Sequence, residues 1–267
     1  MSSLPRLVAV FCLALAACAA ARAQASVHLE ELTWTELRER VRGGATTVLV
    51  PIGGTEQNGP AMVLGKHNQR VRLLAGRIAT GLGNALVAPV LAYVPEGGID
   101  PPTAHMRFPG TLTVPPPVFE ATLESIARSL RRAGFRDIVL LGDHGDYRVS
   151  MKHVADRLDR EWAASPVRVH ALDAYYEAAA VEFPASLRSQ GFGDAEIGTH
   201  AGLWDTALAL ALDPQLVRVP QLRERRFGPA EGVHGDPSRA SAELGQRGVD
   251  LIVSRSIAAI RRAQSRP

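Results

Sequence analysis

Two segments of the chain carry side chains that can do chemistry. Val50-Pro51-Ile52-Gly53-Gly54-Thr55-Glu56-Gln57-Asn58-Gly59-Pro60 presents Glu56 and Asn58, and Leu141-Gly142-Asp143-His144-Gly145-Asp146 presents His144 and Asp146. Both sets follow an apolar, β-branched run directly and lie in a glycine-rich loop. In parallel α/β sheets such loops form the carboxyl edge, where ligands collect. Carboxylate and imidazole are ligands for divalent ions, so the pattern predicts a metal-dependent hydrolase scaffold. The His-x-Asp spacing is weak by itself, because exposed turns of Asp, Gly and His are common. Its combination with Glu56 and His67 carries the reading.

Periodicity supplies the elements that must position these residues. Thr33 or Thr35 caps a short helix that ends at Gly43-Gly44, and residues 46–52 read as a buried strand. Residues 69–82 read as a helix and 85–91 as the next strand. A Pro- and Gly-rich loop from Val94 to Leu112 is too long for an ordinary connection and is expected to cover a site. An amphipathic helix over 115–133, with Phe119, Leu123, Ile126 and Leu130 on one face, leads into the strand 137–141. A helix over 149–163, a strand over 167–172 and a helix over 200–212 continue the alternation. Alternating strands and helices predict a mostly parallel sheet covered on both faces.

Composition narrows the function classes. Arg6, an apolar stretch from Leu7 to Ala17 and small residues through Ala25 form a secretory leader over residues 1–25, leaving 26–267 as one hydrolase domain. The apolar run is shorter than the roughly 20 residues a membrane span needs. Two processing routes are open: ordinary cleavage after Ala23 or Ala25, or lipidation at Cys18 within Leu15-Ala16-Ala17-Cys18. Either exports the protein, to the periplasm or to a lipid-anchored position on the bacterial envelope. Cys12 and Cys18 are the only cysteines, so the mature domain has no thiolate ligand or nucleophile. Without the leader the formal charge falls from +3 to +1, with 28 basic against 27 acidic residues. No basic run with interleaved aromatics stands out, which gives no support to a nucleic-acid partner.

The motifs taken in order resemble those of the creatininase (creatinine amidohydrolase) family. They are Glu56-Gln57-Asn58-Gly59-Pro60, Leu64-Gly65, Phe108-Pro109-Gly110-Thr111, the Gly-x-His after the strand, Gly198-Thr199-His200-Ala201-Gly202 and Gly235-Asp236-Pro237-Ser238 with Ala240-Ser241. The likeness runs from about Leu32 to Ile260. It implies a three-layer α/β/α sandwich with a mostly parallel sheet, assembly into a homo-oligomer such as a hexamer, and divalent ions, zinc or manganese, at the carboxyl ends of the strands.

Carried over by position, Glu56 and His144 match ligands of one ion and Asp146 a ligand of the other. His67 stands where the family has a bridging aspartate, and Asn58 where it has a histidine. A carboxylate can bridge two ions, whereas a neutral imidazole offers one lone pair and an amide oxygen is a weak zinc ligand. The expectation is therefore one or two ions per chain, with a remodelled one-ion centre favoured, held by Glu56, His67 and His144, with Asp146 as a further ligand, a partner of His144 or the general base.

The same resemblance makes His200 the group that polarises the carbonyl or protonates the leaving nitrogen. Thr199 replaces an acidic residue there, and Asp205 matches a nearby acidic position that would orient His200 or a ligand. His105 matches a recurrent histidine and is expected in the substrate pocket.

A Gly-x-Ser-x-Gly elbow, a Gly-x-x-x-x-Gly-Lys loop and a His-Glu-x-x-His pair are all missing from the chain. The reading is an amidohydrolase acting on a cyclic or small linear amide. A metal-dependent peptidase that trims short peptides, and an inert binding protein that kept the scaffold, are the alternatives.

Overall fold

The computed structural model describes residues 26–224 and 226–265. The leader expected over residues 1–25, with Cys12 and Cys18, lies outside the described residues.

Helix α1 (Trp34–Arg42) starts at Thr33. Its hydroxyl accepts from Glu36 N while the Glu36 carboxylate accepts from Thr33 N, so two end donors are satisfied reciprocally. Then come β1 (Thr47–Ile52), α2 (Lys66–Leu82), β2 (Ala85–Val87), α3 (Pro116–Ala133), β3 (Asp137–Gly142), α4 (Arg148–Glu161) and β4 (Arg168–Ala171). The four strands form one sheet in the order β2-β1-β3-β4, and every pairing is parallel. Thr47 pairs with Asp137 and Ile52 with Gly142, so β1 and β3 end level and their following loops emerge side by side.

Alternate strand residues enter two apolar layers. Val48, Val50, Ile52, Ile138 and Leu140 pack with Phe119 and Leu123 of α3 and Val154 and Leu158 of α4. Leu49, Val139 and Leu141 pack with Val71, Leu74 and Ile78 of α2 and with helices from the second half of the chain. This is the three-layer α/β/α sandwich that the continuous apolar strands require.

Three details depart from the expected elements. Strand β2 ends at Val87 and continues only as a bridge between Ile52 and Leu91. Pro89, which has no N–H, interrupts the ladder between them. The helix expected from residue 200 begins at Leu203, because Ala201 is left-handed (φ 51°) and Gly202 extended. The sheet's second face is closed by α8 (Leu203–Leu212) together with helices that the alternation left unread: α5 (Asp173–Glu177), running through a π turn into α6 (Phe183–Ser189), then α7 (Asp194–Ile197) and the long α10 (Ala242–Gln264), while α9 (Val219–Glu224) packs in a smaller apolar cluster with Met62 and Leu210. Asp236 accepts from Ser238 N and opens a single turn, while Ser241 caps α10 by accepting from Leu244 N.

Candidate metal centre

Tyr147 joins the two site-bearing loops. Its fully buried hydroxyl lies 2.8 Å from Ile52 O and 2.7 Å from Gly53 O, and it accepts from Asp143 N and His144 N at 3.1 Å. The end of β1 and the loop after β3 are thereby pinned to one point.

Around that point Glu56, Glu96, His105 and His144 each turn a ligand atom inward, all within 4.8 Å of one another. Glu56 Oε2 is 3.2 Å from His105 Nε2 and 3.4 Å from His144 Nε2, and Glu96 Oε2 is 4.0 Å from His144 Nε2. Glu56 Oε2 and both oxygens of Glu96 are buried without a hydrogen-bond partner among the described residues. Uncompensated carboxylates in a protein interior are costly. Burial and the neighbouring Glu56 push the Glu96 carboxyl up to about 10, so without a cation it holds its proton. Burial also pushes His144 down to about 4, which leaves a neutral ring with a lone pair to donate. Two carboxylates and two imidazoles around one point form a donor set that fits zinc or manganese.

Gly54 makes room for this arrangement. A Cβ there would fall 2.5 Å from Glu96 Oε1, and its φ of 152° disfavours any side chain.

Beneath the cluster lies a buried ionic network built on the first turn of α2. Lys66 Nζ bonds Asp205 Oδ2 at 2.7 Å. Arg70 Nε bonds Asp143 Oδ2 at 2.8 Å, and Arg70 Nη1 bonds Asp205 Oδ1 at 2.5 Å. Positions i and i+4 share a helix face, so Lys66 and Arg70 reach the same aspartate. Cations at a helix N-terminus oppose its dipole, and Asp143, Asp205 and Glu56 supply the compensating charge. Burial works to raise the Asp205 carboxyl, but Lys66 and Arg70 outweigh it and hold the group well below the usual range.

The residues expected from sequence divide accordingly. Glu56 and His144 enter the cluster, and His105, expected in the pocket, both joins it and lines the adjacent cleft. His67 is not placed as a ligand: Nε2 meets Glu56 Oε1 at 2.7 Å and Nδ1 meets Asp143 Oδ2 at 2.6 Å, so both nitrogens are engaged by carboxylates. The Asn58 amide donates to Glu56 O at 2.9 Å and Val63 O at 3.1 Å, holding the loop rather than facing the cluster. Asp146 is exposed and outside the four-residue set, its backbone N 3.4 Å from His144 Nδ1. Asp205 is locked to Lys66, Arg70 and Ala201 N, so it fixes the backbone beside His200 and does not bond the His200 ring.

His200 itself stands at the site. Its Nδ1 is 3.8 Å from Glu56 Oε1 and its Nε2 3.0 Å from Gln57 O. Burial and Lys66 push its pKa down to about 4. The same nitrogen lies 3.2 Å from Gln57 Nε2, so Gln57 engages this edge of the ring through both its backbone carbonyl and its side-chain amide, while Nδ1 faces the centre.

Sequence reading missed Glu96, Lys66, Arg70 and Asp143. Glu96 had one signal, an acid in the long Val94–Leu112 loop already expected to cover a site. A cleft of about 590 Å³ opens beside the cluster, lined by Gln57, His105, Arg107, Phe108, His200 and His234 among others.

A parallel-sheet sandwich with a carboxylate and imidazole centre at the carboxyl edge defines a hydrolase with a metal-type site. Residues 30–260 match the profile of the creatininase family, described as creatinine amidohydrolase. Creatinine amidohydrolase of Pseudomonas putida is 30% identical over 228 residues, covering 81% of this chain and 85% of that one. Mycofactocin precursor peptide peptidase of Mycolicibacterium smegmatis is 29% identical over 222 residues, covering 75% and 78%. A crystal structure of creatininase superposes with a TM-score of 0.76 at 27% identity, covering 91% of this chain and 100% of that one. Related creatininase structures include a Zn–Zn type and a manganese form. The chain belongs to the creatininase family, whose members are amidohydrolases acting on carbon–nitrogen bonds.

Proposed function

We propose that this protein hydrolyses a carbon–nitrogen bond in a cyclic or small linear amide, using a divalent ion held by Glu56, Glu96, His105 and His144. The observation that carries the reading is the convergence of four ligand atoms within 4.8 Å, with three carboxylate oxygens lacking a donor among the described residues, beside an open cleft. Those four residues would hold the ion, and the chemistry it would supply is a water activated for attack, its pKa lowered from about 15.7 toward about 7.

The chain's own groups do the rest. Burial opposes ionisation of Glu56, but His67, His144 and Lys66 overcome it and hold its carboxyl well below the ordinary range, keeping it an anion. His200, kept neutral by its burial, can take a proton on its ring and pass it to the leaving amine. Gln57, His105 and His234 offer polar contacts at the cleft wall, while Phe108, Pro229 and Ala230 supply apolar surface for a substrate ring or chain.

A peptide substrate is the second reading. It is supported by the peptidase relative and by a cleft roomier than one small ring requires.

Export through the leader over 1–25, with or without a lipid at Cys18, belongs to the same proposal. So does assembly into a homo-oligomer such as a hexamer, supported by the exposed Tyr93, Ile99 and Val118. The test is turnover by zinc- or manganese-loaded mature protein on cyclic amides beside short peptides. Cleavage of neither would reject the reading.

A further inference from the structure

The two carboxylate oxygens of Glu56 lie in different surroundings. Oε2 faces His105 and His144 and takes no hydrogen bond among the described residues. Oε1 meets His67 Nε2 at 2.7 Å and lies 3.8 Å from Lys66 Nζ. Those two donors are themselves immobilised, His67 by Asp143 at 2.6 Å and Lys66 by Asp205 at 2.7 Å, and Arg70 ties the two aspartates together. Every side chain of this network is buried, so none can swing into solvent to release Oε1.

A carboxylate that spans two ions through both of its oxygens needs each of them free. Glu56 has one free and one engaged, so although both oxygens of Glu96 are without a partner among the described residues, Glu56 can reach an ion only through Oε2. A second divalent ion at Oε1 would also sit against the Lys66 ammonium, and like charges at such separations repel strongly inside a protein.

We propose that this chain binds a single divalent ion per protomer, through Glu56 Oε2, Glu96, His105 and His144. The Lys66 ammonium supplies, as a fixed group of the protein, positive charge beside Glu56 Oε1 where a second ion would sit, whereas a creatininase relative exists as a Zn–Zn type. This rests on the metal-centre reading above and deepens it. Glu56 then stays oriented whether or not the ion is bound, and loading has one step.

The experiment is metal content per chain on mature protein loaded with excess manganese and desalted, together with its electron paramagnetic resonance spectrum. One equivalent with the spectrum of an isolated ion is expected. Two equivalents with the spectrum of a coupled pair would overturn the single-ion centre and leave the hydrolase reading standing. No bound ion would overturn both. The double variant Lys66→Ala/His67→Asp, which frees Glu56 Oε1 and adds a carboxylate, is expected to rise from one equivalent toward two. Because that variant disturbs a buried network, the wild-type stoichiometry and spectrum decide the question without it.

Discussion

Glu56 and Glu96 present carboxylates to one another in the interior, and three of their four oxygens have no donor among the described residues. Both acids are wholly buried, and a cation between them would compensate both charges. Glu96→Gln keeps the shape and removes the charge, so the purified variant is expected to bind zinc roughly 10-fold or more weakly, by competition with a chromophoric chelator. Unchanged affinity would remove Glu96 from the centre.

Protonation of Glu96 makes the metal-free protein pH-sensitive in a definite direction. Its folded pKa is raised from 4.5 to about 10, first by burial and then by Glu56. A raised folded pKa gives stability that is complete below the unfolded value and is lost as pH climbs toward the folded one. Chelated protein should therefore melt at progressively lower temperature between about pH 5 and about pH 9, and Glu96→Gln should flatten that slope. Bound metal should reverse the trend, since it favours the ionised form. Calorimetry across the range, with and without chelator, checks both.

Gly54 is expected to tolerate no side chain. Gly54→Ala places a methyl 2.5 Å from Glu96 Oε1 at a φ of 152°. The backbone strain alone is about 1–3 kcal/mol, and metal binding should fall with stability. Wild-type loading in the alanine variant would show that Glu96 can move freely.

Asp205 answers two buried cations at once, Lys66 and Arg70. Asp205→Asn leaves both short of their partner and should cost about 3–5 kcal/mol in urea unfolding. If Asp205 instead acted only on the chemistry, turnover would fall with no change in the unfolding midpoint.

Tyr147 holds the loops after β1 and β3 together through one hydroxyl. Tyr147→Phe deprives Asp143 N and His144 N of their acceptor, for a loss of about 1–3 kcal/mol. Because His144 rides on that loop, metal affinity should drop along with stability. A variant that loses stability but keeps full affinity would confine Tyr147 to packing.

The amino-acid order by itself determined the alternation of strands and helices, the parallel sheet, and the delivery of Glu56 and His144 to one edge. Those features follow from local signals: apolar runs buried on both faces, glycines at loop entrances, and Thr33 and Pro116 at helix starts. Residues separated by long stretches of chain were assigned by tertiary structure alone. Glu96 enters the cluster only because its loop folds back over β1, past a glycine that leaves it room. His67 sits beside Glu56 as the sequence suggested, yet Asp143 takes its second nitrogen and turns a candidate ligand into a hydrogen-bonded support. Asp205, read as a partner for His200, meets Lys66 and Arg70 first, because burial makes an unpaired ammonium or guanidinium far costlier than a neutral imidazole. Ligand types can be read from residue identity. Which oxygen or nitrogen is left free for an ion depends on what else is buried beside it, and only the packed structure decides that.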